Sequence, residues 1–546
     1  MKKNLKWYVN RLKKMSFPEV LHRVSELTRY KINLMRYNGN WKEGVNGNIS
    51  IVQSQDLVNI IKSCVKLSFP NFTNSLSYQD IPFKKIKISN DTDLRLLWEN
   101  ERFDEFPSMA MNSSSDSKIK DHLNDWMSKN KPLHGINYIS VMECSIRCLN
   151  LYVSLIVLKS RGNLSSQLEY QSYLFFKLNF DLIKSQLSLY SSRGNHTLFE
   201  YAGLYVCSKA LCKSDCSFYA NKFSEEFNWQ VLPDGSGVEQ STAYHFFNIQ
   251  LYYLMSFISN DISLSNSNFV RAAEFMSYFV VENKILRIGD SDSSKFSYIY
   301  DTFTDYLASM PDFSKLKHFK NSGLISMPLC NGGRLVFKYG RLGLPPLYGH
   351  GHYDFLSLYI ISDYNVLLSC DSSTYLYNSK EREALRSSQY HSMPFFSNDD
   401  IKQSTSFSWD KSKSGFLKNI DQNFIHSFYQ HDNGLITRKV FNESDYLIIM
   451  DYVEDNYDFS SQIMFLNESD DIKFFSYSLD NGLIEVDPEV SKIPFSKKYG
   501  SFEENQSFSY KIRATEKGMV LFTVYFYSSI DRYSVLPVLK RLSRES

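Results

Sequence analysis

SVMECSIRCLNLYVSLIVLKS, residues 140–160, decides how the first half of the chain is read. Its apolar residues recur at three- and four-residue spacing, the period of a helix and not of a strand. The spacing continues on both sides. It appears earlier in DLRLLWENERF (93–103) and SKIKDHLNDWMSKN (117–130). It returns in LSSQLEYQSYLFFKLNFDLIKSQLSLY (164–190), HTLFEYAGLYVCSKAL (196–211) and TAYHFFNIQLYYLMSFI (242–258). The links, such as SRGN (192–195) and LPDGSG (232–237), are short and polar, so successive helices run antiparallel as a bundle or a curved α/α array. No exact sequence repeat accompanies them.

Near residue 320 the period changes. GRLVFKYG (333–340), DFLSLYIIS (354–362), NVLLSCD (365–371), LITRKVF (435–441), YLIIMDYVE (446–454) and GMVLFTVYFYS (518–528) are rich in β-branched and aromatic residues. Gly, Asn, Asp and Ser turns separate them, which predicts an antiparallel β-sandwich. The expected organisation is basic N-terminal helices and a connector over 1–90, the helical array over 91–315 and the sandwich over 316–546.

A chain of 546 residues with 43% hydrophobic and 22% charged residues is globular and too long for one core. A net charge of +2 gives no overall bias toward nucleic acid. The bias is local: residues 1–36 hold ten Lys/Arg against Glu19 and Glu26. That segment suits peripheral contact with a membrane surface. A solvated helix with one core-facing stripe is the simpler reading. The basic start lacks the apolar run of about 7–15 residues that a secretory signal needs, and no stretch reads as a transmembrane helix. A cytoplasmic protein is expected, with the periplasm as the alternative. The eight cysteines are scattered and form no paired zinc signature.

The densest polar cluster is YGHGHYDFLSLYI (348–360). His350 and His352 flank Gly351 just before a strand. A hairpin turning at Ser362–Asp363–Tyr364 would return Asp371 to His352. Imidazole and carboxylate converging there suit a zinc-like ion, with His391 as third ligand. Two histidines at strand spacing are also ordinary packing. In the helical half, SSRGNHTLFEYAG (191–203) sets Asn195 and His196 at a helix entrance, where Asn195 also suits an N-cap. LPDGSGVEQSTAYHF (232–246) sets Tyr244 and His245 early on the next helix, where a packed aromatic and a surface histidine are the plain alternative.

Six segments, in order, resemble the heparinase II/III family of polysaccharide lyases. They are WMSKNKPLHGINYISVMECSIRCLN (126–150), GNHTLFEYAGLYV (194–206), VLPDGSGVEQSTAYH (231–245), GHGHYDFLSL (349–358), LLSCDSSTYLYN (367–378) and REALRSSQYHS (382–392). The resemblance covers roughly residues 90–400. It implies an N-terminal α/α toroid, an incomplete barrel of helical hairpins, followed by the sandwich, with a cleft between them. It also implies β-elimination at a uronic acid of an acidic polysaccharide. By resemblance, Asn195 with His196 neutralises the substrate carboxylate, Tyr244 is the acid/base, and His350 is a second acid/base or neutraliser. His352, Asp371 and His391 would hold a structural divalent metal, zinc by its ligands. Asn137, Glu143, Arg147, His245 and Arg386 would bind or support substrate. For Glu143 and Arg147 a buried ion pair competes with that role, and for Arg386 a surface salt bridge does. The sequence departs from the family at His391–Ser392–Met393, where His-Asn-Thr is usual, and at Asp371–Ser372–Ser373, where Asp-Pro-Gly is common. A form without an export signal resembles relatives associated with bacterial surface-polysaccharide synthesis, which points away from heparin. Two other functions fit the same residues. One is a non-catalytic glycan-binding or scaffold protein in capsule, O-antigen or exopolysaccharide biosynthesis. The other is a metal-dependent sugar hydrolase or transferase whose ion activates water.

Overall fold

The computed structural model describes residues 15–41, 47–61, 78–89, 92–368, 374–396, 403–405, 407–409, 413–453, 458–496, 498–501, 503–528 and 531–545. The chain divides into two compact units. The first comprises residues 1–230, 247–269 and 295–305, and the second 231–246, 270–294 and 306–546. A single cut near 315 therefore does not separate them: two stretches of the helical half join the strands.

The first unit is helical. Its described helices are α1 (Phe17–Tyr37), α2 (Gln55–Ile60), α3 (Leu94–Glu99), α4 (Phe106–Asn112), α5 (Ser117–Lys129), α6 (Val141–Ser160), α7 (Ser166–Ser185), α8 (Asn195–Ala210) and α9 (Cys216–Gln230). It also takes residues 247–258 of α10 (Thr242–Ile258) and most of α12 (Tyr300–Ala308). Helices α6 with α7, and α8 with α9, form hairpins over links of a few residues. The Ser165 hydroxyl caps α7 by accepting from Leu168 N at 3.3 Å, which stops the preceding turn from running on. Helix α6 has the length and apolar composition to cross a bilayer, although no stretch was expected to. All of its residues from Val141 to Leu158 are buried, so it is the core helix of this unit. It approaches α8 closely: a Cβ on Gly203 would lie 2.6 Å from Ser145 Cβ. Asn150 on α6 finds two polar partners. It donates to Arg102 O at 2.9 Å and accepts from Tyr298 OH at 2.9 Å.

The second unit is antiparallel β, with most of helix α11 (Ser267–Ser277) and two small ribbons, β1 with β2 (Val280–Val281 and Lys284–Ile285) and β8 with β9 (Gln403–Thr405 and Ser408–Trp409). One four-stranded sheet runs β3 (Lys317–Phe319), β4 (Leu324–Pro328), β5 (Arg334–Lys338) and β6 (Ser357–Ile361). A seven-stranded sheet has the order β10-β11-β12-β13-β19-β15-β16 (Gly415–Asp421, Phe424–His431, Gly434–Asn442, Tyr446–Val453, Val520–Phe526, Ile472–Ser478 and Gly482–Glu485). A third, four-stranded sheet has the order β17-β18-β14-β7 (Glu489–Phe495, Glu503–Arg513, Phe459–Phe465 and Pro394–Phe396). Their inner faces share one core that includes Leu335, Phe337, Ile360, Tyr429, Ile449 and Phe465. Strand β13 is apolar on both faces because both are covered. Leu447 and Ile449 enter the sandwich core. Ile448 and Met450 pack with Leu539 and Leu542 of the C-terminal helix (Leu536–Leu542).

Strand β6 starts at Ser357, three residues after the expected Asp354, because Leu356 takes a left-handed φ of 63°. Asp354 is instead buried against the Lys338 ammonium. The expected hairpin is present as far as it is described: Leu368 N donates to Ile360 O at 2.9 Å. Asp371 lies outside the described residues.

Candidate active site

Asp290 organises the cluster, and it lies in RIGDSDSS (287–294), which reads in sequence as a plain turn. Gly289 places it there at φ 74°, where a Cβ would press on Gln240 O at 2.7 Å and His350 O at 2.8 Å. The Asp290 amide donates to His350 O at 2.9 Å. Its carboxylate is fully buried. Oδ2 accepts from Arg382 Nη2 at 2.5 Å and His350 Nδ1 at 3.0 Å, and Oδ1 accepts from His352 Nε2 at 3.1 Å. Burial alone would push this carboxyl up. The Arg382 guanidinium and the two imidazole donors outweigh it and hold Asp290 well below the usual range. The two histidines can share one carboxylate because Gly351 lets the backbone between them fold tightly. A Cβ on Gly351 would lie 1.3 Å from Leu342 O.

Tyr244 comes to the same cluster from the start of α10. Ser241 Oγ donates to Asp290 O at 2.6 Å and accepts from Tyr244 N at 3.2 Å, so one hydroxyl caps the helix and ties it to the Asp290 loop. The Tyr244 ring stacks on His350 with centroids 4.2 Å apart and planes at 30°. Its hydroxyl bonds that of Tyr377. Burial, and then the charges of Asp292 and Asp290, push the Tyr244 phenol well above its ordinary value. Burial and Tyr244 do the same to Tyr377. Arg382 closes the floor, its Cζ 5.0 Å from the Tyr377 ring centroid and 4.4 Å from that of Phe407. The side chain of His350 is 20% exposed, while those of Asp290, His352 and Arg382 are sealed. His350 is thus the polar group of this set that meets solvent.

Behind it, His352 and His391 face each other with ring centroids 5.4 Å apart. His352 gives its Nε2 proton to Asp290. Its buried Nδ1 has no hydrogen-bond partner among the described residues. Burial lowers the His352 pKa, so its Nδ1 lone pair is available. A carboxylate holding the far nitrogen of a histidine is the usual support of a metal ligand. His352 therefore has the form of a metal ligand, and His391 is the expected ligand that faces it. Among the described residues no group of three or more His, Cys, Asp or Glu could hold a metal ion, and the third ligand, Asp371, falls outside them. The His391 segment is firmly set. Arg438, paired bidentately with Asp451 at 2.7 Å, donates to Ser392 O at 2.7 Å, and Gln462 Nε2 donates to His391 O at 3.3 Å.

The expected substrate contacts of this unit face inward. Arg386 is not in a surface salt bridge. It is fully buried, donates to Gly351 O at 3.0 Å and lies over Trp409. It braces the two-histidine turn from behind. His245 is buried too, not a surface histidine. Its Nε2 donates to Gly235 O at 2.8 Å and Phe275 packs against it edge-on. Burial lowers its pKa from 6.5 to about 4. A depressed pKa means that the fold holds the neutral form. The associated stability is present above pH 6.5 and is lost as pH falls toward 4. At ~1.4 kcal/mol per pKa unit this amounts to about 3 kcal/mol. Denaturant melts of wild type and His245→Gln between those pH values should diverge at neutral pH and converge in acid. Parallel pH profiles would sink this assignment.

The remaining expected residues lie in the first unit. Asn195 is buried and is the first residue of α8, with Gly194 as the N-cap in its place; His196 is exposed. Asn137, Glu143 and Arg147 do not share one helix face. Asn137 sits in a 3-10 turn, Ile136–Tyr138, and only the other two are on α6. All three are buried. Glu143 pairs bidentately with Arg102 at 2.7 and 2.6 Å, not with Arg147. Burial pushes Glu143 up, but Arg102 outweighs it and the carboxyl is held below its ordinary value. Arg147 instead donates to Asn137 O at 2.5 Å and lies over Trp126. This trio braces the helix core.

Helical hairpins in series, followed by antiparallel sheets that carry a Tyr–His–Asp cluster, can be set beside known proteins. Residues 312–470 match the family model Heparinase II/III-like, C-terminal. Among solved structures, a heparinase III aligns over 92% of this chain and 91% of its own, with 14% identity and a TM-score of 0.61. A heparinase III gene product with methylated lysines covers 87% and 85%, at 15% identity and TM-score 0.54. A mutant heparan sulfate lyase HepC from Pedobacter heparinus covers 93% and 89%, at 15% identity and TM-score 0.52. At such identities the likeness is one of fold. No curated protein matches the chain in sequence.

Proposed function

We propose that the protein is a polysaccharide lyase that cleaves a uronic-acid-containing bacterial glycan by β-elimination. The observation that carries it is the stacked Tyr244–His350 pair, with Asp290 fixing His350 Nδ1. Nδ1 donates to a carboxylate, so Nε2 bears the lone pair and can accept a proton. Tyr244, held neutral by its surroundings, can give one. In the elimination, His350 Nε2 takes the proton from C5 of the uronate and the C4–O4 bond breaks as the C4–C5 double bond forms. The Tyr244 hydroxyl protonates the departing O4, and a proton passes from His350 back to Tyr244 before the next turnover. Asn195 and His196 are assigned to the substrate carboxylate by resemblance. Neutralising that carboxylate acidifies C5–H.

His352, His391 and Asp371 would hold a divalent ion of zinc type. Once bound, it supplies a fixed charge that cross-links the 352 and 391 segments, and no proton transfer passes through it.

Purified protein should raise ultraviolet absorbance from unsaturated uronate on one member of a panel of uronate polysaccharides that includes bacterial surface glycans. A chelator should lower the melting temperature while product still forms below the new melting point. Glycan binding with no absorbance rise on any member would replace the lyase with a glycan-binding protein. Complete loss of turnover on chelation of still-folded protein would favour the metal-dependent hydrolase or transferase.

A further inference from the structure

The expected core-facing stripe of the N-terminal helix is inverted in α1. Its polar residues face the protein. Glu19, Glu26, Asn33 and Tyr37 are buried. Asn33 Nδ2 donates to Asp181 O and Ser185 Oγ, both at 3.2 Å, and Tyr37 OH donates to Asp181 Oδ2 at 2.9 Å. Gln186 Nε2 donates to Glu26 O at 2.9 Å, and Ser191 Oγ donates to Glu19. The apolar residues face outward. Phe17, Leu21, Val24, Leu27, Ile32 and Met35 are 47–75% exposed. At 100° per residue they fall on the side opposite the buried set. An apolar stripe turned to solvent along a 21-residue helix loses hydrophobic free energy unless something covers it.

Charge says what covers it. The two acidic residues of α1 are both on the inward face. Arg29 and Lys31 are exposed, Lys31 within the apolar stripe itself. Six more cations, Lys2, Lys3, Lys6, Arg11, Lys13 and Lys14, precede the helix in the sequence. An apolar stripe with cationic flanks and no exposed acid is complementary to a surface that is negative outside and apolar beneath.

We infer that α1 docks this protein on an anionic lipid bilayer, lying in the interface with Phe17, Leu21, Val24 and Met35 entering the acyl boundary and Arg29 and Lys31 at the headgroups. This inference does not rest on the lyase reading. The full chain should co-sediment with phosphatidylcholine vesicles containing phosphatidylglycerol and much less with phosphatidylcholine alone. Leu21→Gln/Val24→Gln, both surface changes, should cut the bound fraction about tenfold with an unchanged melting temperature. Arg29→Gln/Lys31→Gln should weaken binding at low salt and leave little difference at high salt. Three results would each overturn the inference. One is binding of the Leu21→Gln/Val24→Gln protein equal to wild type. Another is no vesicle binding by the full chain, with binding appearing only after removal of residues 1–14, which would show that those residues occupy the stripe. The third is a dimer in solution that Leu21→Gln/Val24→Gln converts to monomer while wild type ignores vesicles, which would assign the stripe to a second copy.

Discussion

Tyr244→Phe should lower turnover on a cleavable glycan by about 10²–10⁴-fold, the usual contribution of a positioned acid or base. The change removes one oxygen. The ring remains to stack on His350 at 4.2 Å, and the helix cap at Ser241 is untouched. The structural cost is the hydrogen bond to Tyr377, about 1 kcal/mol. Stability and activity therefore separate in this variant, and glycan affinity should stay within a few fold. Because Tyr244 is held neutral well above its ordinary range, the proposed elimination uses it as the proton donor. The defect should shrink on a substrate whose leaving group at C4 needs no proton, such as a uronate carrying an electron-poor aryl ether at O4. An equal defect on both substrates would remove Tyr244 from the acid role. Turnover unchanged on the natural glycan would remove it from the mechanism.

Asp290→Asn should destabilise the protein by about 3–5 kcal/mol, the scale seen when one member of a buried ion pair is removed. Arg382, His350, His352 and Thr374 all donate to this carboxylate, and Arg382 is a sealed cation. An amide cannot balance the guanidinium, and its own N–H₂ would face a donor. The second member gives the control. Arg382→Met with Asp290→Leu should recover much of the loss, since an apolar pair no longer buries a charge. Turnover should not recover, because His350 Nδ1 has lost its acceptor. Chemical denaturation of the single and double variants checks the first part and the elimination assay the second. A single variant within about 1 kcal/mol of wild type would mean that Asp290 is not the hub.

Period and composition made the architecture legible. The spacing in 140–160 and 242–258 matches α6 and α10, and the β-branched runs at 435–441 and 446–454 match β12 and β13. His350 and His352 were legible as two histidines flanking Gly351, and Tyr244 through the segment 231–245 that carries the resemblance. Asp290 was not. A Gly-Asp-Ser sequence is ordinary turn chemistry, and only the fold shows what its carboxylate meets. Arg382 and Arg386 were opaque for the opposite reason: arginines near a short helix read as solvated, yet both are buried. Tyr377 stands inside a quoted motif, but one tyrosine among 37 carries no mark of its partner. The orientation of α1 was beyond reach because periodicity reveals that a helix has two faces without saying which one turns inward.

The second unit draws on three separate stretches of chain, 231–246, 270–294 and 306–546. Tyr244 and Asp290 come from the two short ones, and His350, His352 and Arg382 from the long one. Exchange at the apparent domain border with a gene that lacks this tyrosine and aspartate would part Tyr244 and the shared carboxylate from the imidazoles that depend on them. It would also leave an arginine sealed without a counterion. Such a gene would encode both halves and lose the cluster, so these three stretches are inherited to best effect together.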